Sequence, residues 1–324
     1  MRVVITGGAG FLGSRLARAI LARGSLTDAR GRTRALRELV LVDVVAPHDC
    51  DDPRARGMQG SLDDPATVAA AITPDTDSVF HLAAVVSGQA EADFDIGMRV
   101  NLDGTRNVLE RCRACTTPPR VVFASSLAVF GGTLPDPVPD DARLTPQSSY
   151  GTQKAIGELL VADMSRKGFL DGRSLRLPTI VVRPGKPNRA ASSFASGIIR
   201  EPLSGVAAPC PVAPATRMWV QSPRAVIANF LIGHEADAAS LPPSRAVNVP
   251  GLCVSVEEMV AALRRVAGDE VASRVRWEYD AAIDRIVSTW PARFCADAGR
   301  ALGMQADEDF DGVVRAHVAD SASL

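Results

Sequence analysis

The sequence predicts an α/β protein built on a doubly wound parallel sheet, followed by a smaller substrate domain. Two observations predict this class. Short apolar runs recur in the first 183 residues, at Val3–Ile5, Leu39–Val42, Val79–Leu82, Val121–Ala124 and Thr179–Val182. Helix-length stretches with a 3.6-residue apolar period lie between several of them, such as Leu12–Leu21 and Val100–Arg113. Uninterrupted apolar strands that alternate with helices are typical of a parallel sheet covered on both faces.

The second half of the chain has a different character. Residues 184–223 contain many proline, serine and alanine residues, which predicts irregular structure with one helix, at Ser193–Arg200. Helical patterns return at Pro223–His234 and Val256–Val266, and Arg245–Val249 between them predicts a strand that returns to the main sheet. We therefore expect two domains, residues 1–183 and residues 184–324, the second lying over the carboxyl edge of the sheet.

Composition excludes several classes of protein. The 324 residues include 36 basic and 37 acidic ones, so the net charge of −1 gives no electrostatic reason to expect nucleic acid or a membrane as partner. No apolar run approaches the ~20 residues of a membrane span, and a strand pattern begins at once, without a signal peptide. Six scattered cysteines, with Cys112/Cys115 as the single Cys-x-x-Cys pair, predict neither a disulfide scaffold nor a metal site. We expect a cytoplasmic protein.

The first strand runs into a glycine-rich turn and a helix start. Gly7, Gly10 and Gly13 have the spacing G-x-x-G-x-x-G, and Phe11 and Leu12 open the helix. Glycines permit a tight turn, a close approach of backbone N–H groups to a pyrophosphate, and close packing of helix on strand. The strand before the turn and the helix after it predict a dinucleotide-binding loop, and with it a Rossmann domain.

Asp43 ends the second predicted strand. A carboxylate there accepts hydrogen bonds from the ribose hydroxyls and repels a 2′-phosphate, so NAD is favoured over NADP. Asp43 lies 30 residues after Gly13, where about 20 is usual. The polar insert Arg23–Arg34, which predicts a surface loop, accounts for the excess. The alternative is that Asp43 only caps a loop.

A tyrosine and a lysine lie one helical turn apart in a chain that has few of either. Tyr150 is one of two tyrosines and Lys154 is one of three lysines. A phenol with a pKa of about 10 is a poor base at neutral pH, and a nearby ammonium lowers that pKa. Ser126 ends a predicted strand and is placed to hydrogen-bond the reacting oxygen. We therefore predict Ser126, Tyr150 and Lys154 as catalytic residues; a contact on the helix surface is the alternative for the Tyr150/Lys154 pair.

Together these motifs resemble the extended short-chain dehydrogenase/reductase family, which includes NAD-dependent epimerases and dehydratases. The resemblance also rests on Phe80–Ala84, Asn101–Thr105 and Ser125–Gly131, and it covers at least residues 1–185. It implies that residues 1–183 form a Rossmann NAD-binding domain and that the chain forms a homodimer through helices flanking the sheet. The cofactor-binding residues predicted from the motifs and the resemblance are Gly7, Gly10, Phe11, Leu12, Gly13, Asp43, Ser61, Leu62, Leu82, Ala83, Ala84, Asn101, Ser125, Tyr150, Lys154 and Pro184. Whether Ser61 or Asp63 contacts adenine is left open.

Three stretches of the second half depart from what is expected of the nucleotide-sugar enzymes in that family: Val182–Phe194, Arg200–Leu203 and Thr216–Trp219. They resemble NAD-dependent dehydrogenases of a four-carbon sugar acid. The resemblance implies oxidation of the C2 hydroxyl of a small sugar acid. D-Erythronate is the first candidate, and its product would be 2-dehydro-D-erythronate. Such a substrate needs a cation for its carboxylate, and an arginine suits it. The predicted substrate-binding residues are Arg217, Arg189 as second choice for the carboxylate, Ser87, Asn188 and Ser192 for hydroxyls, and Ser126 and Tyr150.

Two other functions stay open. One is a nucleotide-sugar epimerase, reductase or dehydratase of the same family; Leu127 and Ala128 after Ser126 disfavour a dehydratase, which should have acidic residues there. An epimerase retains its NAD and yields no net NADH. The other is a non-catalytic NAD(P)-sensing module on the same fold, which does not need the Tyr150/Lys154 pair that this chain has.

Overall fold

The computed structural model describes residues 1–47, 51–185 and 192–321. Its strands are β1 Arg2–Thr6, β2 Ser25–Thr27, β3 Thr33–Ala35, β4 Glu38–Asp43, β5 Ala55–Gln59, β6 Ser78–His81, β7 Arg120–Ser126, β8 Asp171–Leu177, β9 Thr179–Ile180, β10 Ala208–Cys210, β11 Arg217–Gln221, β12 Ala246–Asn248, β13 Leu252–Ser255 and β14 Val275–Trp277.

Its helices are α1 Phe11–Arg23, α2 Pro65–Ala71, α3 Ser87–Ala92, α4 Phe94–Gly97, α5 Gly104–Arg113, α6 Ser149–Arg166, α7 Ser193–Leu203, α8 Pro223–Glu235, α9 Val256–Ala267, α10 Asp269–Ala272, α11 Ala281–Val287, α12 Asp297–Ala301 and α13 Phe310–Ser321. A π-helical segment, Met98–Asp103, leads into α5, and 3-10 turns lie at Leu127–Val129 and Ala238–Ser240. Among the described residues, none of these helices has both the length and the apolar character that crossing a membrane requires.

Seven strands form one parallel sheet in the order β12-β8-β7-β6-β1-β4-β5. From β1 the chain adds β4 and β5 on one side, then crosses to β6, β7 and β8 on the other. The order therefore reverses between β1 and β6, and ligands of such sheets bind outside the carboxyl ends of the strands at this point. The predicted doubly wound parallel sheet is confirmed.

Helices cover both faces of this sheet. Val3 and Ile5 of β1 pack with α1 and α8 on one face, whereas Val4 packs with α2, α5 and α6 on the other. All three side chains are fully buried, and burying each one stabilises the fold by about 1.5–3 kcal/mol. Burial on both faces explains why β1 is an uninterrupted apolar run.

The predicted strand at Thr179–Val182 is not part of the main sheet. Its first two residues form β9, which pairs with β11 in a three-stranded sheet β13-β11-β9. The place beside β7 belongs to β8, where Arg173 and Arg176 interrupt the apolar pattern although both are buried. Arg173 pairs with Asp171 of the same strand and Arg176 with Glu158 of α6, so three charged residues break the apolar run and the pattern of β8 does not predict a central strand.

The polar insert after α1 is not simply a loop. The helix continues to Arg23, and the insert then forms an antiparallel hairpin in which Ser25 of β2 pairs with Ala35 of β3. β5 was not predicted either, because four of its five residues are at least partly polar or small and none is fully buried.

Segments from the second half return to the first. β12 pairs in parallel with β8, and α8 packs on the α1 face through Val226 and Phe230. A second core forms around the three-stranded sheet and α7, α9 and α13, where Ile198, Leu263 and Val314 are buried. The domain boundary at residue 183 stays a prediction.

Candidate active site

The glycine-rich turn links β1 to α1 at the carboxyl edge of the sheet. The N–H groups of Gly7 and Gly8 both donate to the carbonyl oxygen of Val42, at 2.8 and 3.0 Å. Gly7 has φ +75°, and a Cβ added to Gly13 would lie 2.0 Å from the carbonyl oxygen of Gly7. The N-cap of α1 is Gly10, which has no side chain to cap the first N–H groups. Bare backbone and a free helix N-terminus fit the pyrophosphate of NAD.

Asp43 lies at the end of β4, beside this turn. Its Oδ2 accepts a hydrogen bond from the N–H of Ala9 at 3.1 Å, and its Oδ1 accepts one from Val45 at 3.3 Å. A carboxylate at this position fits the adenosine ribose hydroxyls. A loop-capping carboxylate would make the same two contacts, so the cofactor role of Asp43 stays a prediction.

Ser61 and Leu62 follow β5 and lie next to the end of β4. The N–H of Gly60 donates to the carbonyl oxygen of Asp43 at 2.8 Å, which holds this loop at the same edge. Leu62 is buried, whereas the Asp63 carboxylate lies 3.8 Å from the guanidinium of Arg99. The placement is compatible with an adenine contact from either Ser61 or Asp63, and the choice between them stays open.

The loop after β6 passes close to the glycine turn. A Cβ added to Gly7 would lie 2.9 Å from the backbone nitrogen of Ala83. Asn101 holds the next part of the loop, because its side chain accepts from the N–H of Val85 at 2.8 Å and donates to Gln153 Oε1 of α6 at 2.8 Å. The structure thus places three predicted cofactor-binding residues between the glycine turn and α6: Leu82, Ala83 and Ala84.

Ser126 and Tyr150 meet at the carboxyl end of β7. Tyr150 is the second residue of α6, whose start is fixed by the Ser148 hydroxyl, which accepts from the N–H of Gly151 at 3.1 Å. Both side chains line the same cavity, and the Ser126 hydroxyl acts on the Tyr150 phenol as a hydrogen-bonding neighbour. Burial raises the pKa of Tyr150, while the charge of Arg183 and the neighbouring Ser126 hydroxyl lower it. Two of the three predicted catalytic side chains therefore lie in the same site.

Lys154 is buried one helical turn beyond Tyr150. Its Nζ donates to the carbonyl oxygen of Ala124 at 2.8 Å and lies 5.7 Å from the centre of the Tyr150 ring. Burial lowers the pKa of Lys154 to about 7, and the charge of Glu158 raises it. A cation this close to a phenol stabilises the phenolate, so Ser126, Tyr150 and Lys154 form the arrangement that acid–base chemistry requires.

A cavity of about 570 Å³ opens beside Tyr150. Its lining includes every predicted substrate-binding residue that the structure describes: Ser87, Ser126, Tyr150, Ser192 and Arg217. Asn188 and Arg189 lie outside the described residues. Much of the remaining wall is apolar, with Leu127, Phe130, Met218, Trp219, Trp290 and Phe294. The volume is typical of a site for a small organic molecule.

Arg183 was not predicted, yet it lines this cavity and its charge acts on Tyr150. Burial lowers the pKa of Arg183, and its Nε donates to the carbonyl oxygen of Ile180 at 3.1 Å. Arg217, the predicted carboxylate ligand, is half exposed at the rim, with its Nη2 3.9 Å from Glu258. The sequence signal for Arg183 was its place directly after the apolar run Thr179–Val182.

Two other predicted cofactor residues border the site. The Ser125 side chain is buried and donates to Oε1 of Glu158 at 2.5 Å, and Pro184 is exposed beside Arg183. Their contacts with a cofactor stay predictions. Within residues 1–47, 51–185 and 192–321, no three His, Cys, Asp or Glu side chains converge in a way that would hold a metal ion.

Known proteins are similar to this chain in sequence over nearly its whole length. A D-erythronate dehydrogenase from Cupriavidus necator is 60% identical over 321 residues, covering 99% of each chain. A D-erythronate dehydrogenase from Haemophilus influenzae is 46% identical over 316 residues, 97% of this chain and 98% of that protein.

Solved structures give the same picture. The crystal structure of a nucleoside-diphosphate-sugar epimerase from Agrobacterium tumefaciens superposes with a TM-score of 0.93 at 40% identity, covering 100% of this chain and 95% of the other. An L-threonine dehydrogenase from Cupriavidus necator, at 23% identity, has a TM-score of 0.85 and shares the fold. Residues 3–222 match the model of the NAD dependent epimerase/dehydratase family. The chain belongs to the NAD-dependent epimerase/dehydratase family.

Proposed function

We propose that this protein oxidises the C2 hydroxyl of D-erythronate, with NAD as acceptor, to 2-dehydro-D-erythronate and NADH. The observation that carries the proposal is the partly buried guanidinium of Arg183 beside Tyr150, because a cation next to the catalytic phenol suits a small anionic substrate. The two D-erythronate dehydrogenases, similar over nearly the whole chain, support D-erythronate as that anion.

NAD, when bound, supplies the acceptor for the hydride that leaves C2. The residues that would hold its pyrophosphate are those of the glycine turn, where a side chain on Gly13 would collide with Gly7. Asp43 would bond the adenosine ribose, and its negative charge disfavours NADP. Lys154 would bond the nicotinamide ribose, as the family resemblance implies.

The proton of the C2 hydroxyl goes to Tyr150. Its phenolate oxygen takes that proton while the C–H bond at C2 breaks and the C=O bond forms. The Lys154 ammonium stabilises the phenolate before the transfer. Ser126 donates a hydrogen bond to the substrate oxygen, and the proton then passes from Tyr150 to solvent.

Binding of the substrate carboxylate is the role we assign to Arg183. A guanidinium presents a planar fork to a carboxylate, and this one is already partly desolvated. Arg217 is a second, more exposed cation at the rim of the same cavity. Ser87 and Ser192 also line the cavity and would bond the remaining hydroxyls, while roles for Asn188 and Arg189 stay predictions from the sequence.

A panel of four-carbon sugar acids tests the proposal. Purified protein with NAD should form NADH, seen by its absorbance, with D-erythronate as the best substrate. Tyr150→Phe should abolish the signal without loss of NADH binding. The second candidate is a nucleotide-sugar epimerase, favoured by the structural similarity to the Agrobacterium protein. Interconversion of UDP-sugars without net NADH, and no turnover of any acid, would establish that candidate instead.

We also propose a homodimer in the cytoplasm. On α6, Leu159 has 64% of its surface exposed, and Phe94 of the nearby α4 has 59% exposed. Two large apolar side chains on helices that flank the sheet support a contact with a second copy. Free thiols at the described cysteines Cys112, Cys115, Cys210, Cys253 and Cys295 support a reducing compartment. Leu159→Glu should convert the dimer to a monomer on size exclusion.

A further inference from the structure

Helix α7 holds the backbone of Arg183 at both of its polar groups. The N–H of Arg183 donates to the Ser196 hydroxyl oxygen at 3.0 Å, and the carbonyl oxygen of Arg183 accepts from Nη1 of Arg200 at 2.6 Å. Ser196 and Arg200 are four positions apart, so they lie on one face of α7. A single helix face therefore fixes the backbone of the arginine that lines the cavity beside Tyr150.

The two side chains on α7 are themselves fixed. Ser196 is only 3% exposed, and its neighbour Ala195 is fully buried in the second core. Nη2 of Arg200 donates to Oε1 of Glu201 at 2.5 Å, so the charge of Arg200 is paired within the helix. Because that charge is balanced, Arg200 acts on Arg183 through its hydrogen bond and not through its field.

The Arg183 side chain is also held, at one of its nitrogens. Its Nε donates to the carbonyl oxygen of Ile180 at 3.1 Å. A carboxylate can bond a guanidinium from the side, through Nε and one Nη, or from the end, through both Nη nitrogens. Because Nε is occupied, a substrate carboxylate would meet the end of the guanidinium. The position of that end depends on where the backbone of Arg183 is fixed.

Helix α7 lies behind two residues of the cavity wall. Arg183 lines the cavity a few residues after β9, and Ser192, the N-cap of α7, lines it again. Loss of the bonds from α7 would let the guanidinium move relative to Tyr150. A misplacement of about 1 Å at a site that aligns a substrate lowers the rate by up to about 100-fold.

We propose that Ser196 and Arg200 are positioning residues for the substrate carboxylate, because they fix the distance between the Arg183 guanidinium and Tyr150. Neither belongs to the described residues that line the cavity, so both act through Arg183. A guanidinium fixed in this way places the acid group so that the hydroxyl on the next carbon, C2, faces the phenol. The inference rests on the function proposed above, since it assumes a carboxylate substrate that binds Arg183.

A double-mutant cycle on kcat/KM for D-erythronate tests this inference. Arg200→Ala removes the bond to the Arg183 carbonyl, and kcat/KM should fall by about 10-fold. In the Arg183→Gln background the same substitution should lower kcat/KM by less than about twofold, because no guanidinium is left to position. The initial slope of rate against substrate concentration gives kcat/KM even where saturation is not reached. KM for NAD should stay at its wild-type value throughout.

Ser196→Ala gives a second, milder cycle, because it removes one hydroxyl group. It should lower kcat/KM by about threefold with Arg183 present and should have no effect in Arg183→Gln. If Arg200→Ala does not fold, as judged by a thermal melt, this cycle decides the question. Arg264→Ala and Ser273→Ala replace exposed residues of the same types. They are the matched controls and should leave kcat/KM unchanged in both backgrounds.

A role in the general stability of α7 predicts a different result, the same fold-loss with and without the Arg183 guanidinium. That result, or an unchanged kcat/KM in the variants that retain Arg183, would overturn the inference while D-erythronate remains a substrate. No turnover of any four-carbon acid by the wild-type protein would overturn the proposed function, and this inference with it. The two failures are therefore distinguishable.

Discussion

A Cβ added to Gly151 would lie 2.1 Å from the carbonyl oxygen of Ala128. The first turn of α6 therefore touches the backbone that directly follows Ser126. No side chain fits between them, because the carbonyl oxygen of Ala128 belongs to the backbone and cannot move aside as the end of a flexible side chain could. This contact sets how closely Tyr150 approaches Ser126.

We predict that Gly151→Ala impairs catalysis more than stability. The added methyl group must push α6 away from the turn after Ser126, and a displacement near 1 Å in an active site lowers turnover by about 100-fold. Steady-state rates with D-erythronate and a thermal melt measure the two effects. Thr152→Ala, at the exposed next position, is the control and should leave both near the wild-type values. A fully active Gly151→Ala enzyme would show that this contact does not position Tyr150.

The two arginines of the cavity should differ in their effect on substrate binding. Arg183→Gln is expected to raise KM for D-erythronate by about 10- to 100-fold, because a charge-assisted hydrogen bond from a partly buried guanidinium is lost. Arg217→Gln should change KM by less than about threefold, since a half-exposed arginine is well solvated. Saturation curves for both variants show which substitution raises KM more. A larger increase in KM for Arg217→Gln would show that the substrate carboxylate binds Arg217 at the rim of the cavity.

Cofactor preference should depend on the charge of Asp43. The ratio of kcat/KM for NAD to that for NADP should be high in the wild type and should fall in Asp43→Ala, because the carboxylate no longer repels the 2′-phosphate. Asp43→Asn keeps an oxygen for the hydrogen bond from Ala9, and so separates charge from loop geometry. If Asp43→Asn retains the wild-type ratio, repulsion between the carboxylate and the 2′-phosphate is not the cause of the preference for NAD. A wild-type preference for NADP would contradict the assignment.

Two buried histidines predict a loss of stability in mild acid. His81 lies between the hydroxyls of Thr6 and Thr105, at 2.7 and 2.9 Å, and His234 bonds the Ser78 hydroxyl at 2.8 Å. Burial lowers their pKa values to about 3 and about 4, from 6.5. As pH falls below 6.5 the unfolded chain binds protons that the folded chain does not. The free energy of unfolding should then fall by up to ~1.4 kcal/mol per pH unit for each histidine.

Urea unfolding between about pH 6.5 and pH 4.5 measures this slope, in a range above the titration of most carboxylates. His234→Gln should reduce the slope by up to ~1.4 kcal/mol per pH unit, the contribution of one such histidine. An unchanged slope in that variant would mean that other groups cause the acid sensitivity.

The features that the sequence predicted are local ones. The glycine turn follows from residue spacing within one strand–turn–helix unit, and Tyr150 and Lys154 from one turn of one helix. The missed features depend on contacts between distant residues. β8 contains Arg176, which is buried only because Glu158, 18 positions away, pairs with it. Arg183 belongs to the cavity because the chain turns from β9 towards Tyr150; its place after an apolar run marks the end of a strand but does not show this turn.

The role of Arg217 also depends on packing that the local sequence does not reveal. It was selected because a small acid needs a cation and the stretch around it resembles that of sugar-acid dehydrogenases. Its neighbours Met218 and Trp219 are buried, whereas Arg217, as the first residue of β11, is at the solvent-exposed rim. Which of several arginines is desolvated depends on packing, and an arginine-rich sequence gives many alternatives.

The return of β12 to the main sheet limits how this enzyme can be recombined with its relatives. A fragment ending at residue 183 would contain the glycine turn and Tyr150, but β8 would become an edge strand with unpaired backbone groups, which invites aggregation. It would also lose Asn248, the residue that holds Arg176 against Glu158. A chimaera that exchanges substrate specificity should therefore keep α8 and β12 with the nucleotide-binding half, and exchange only the segments around the three-stranded sheet.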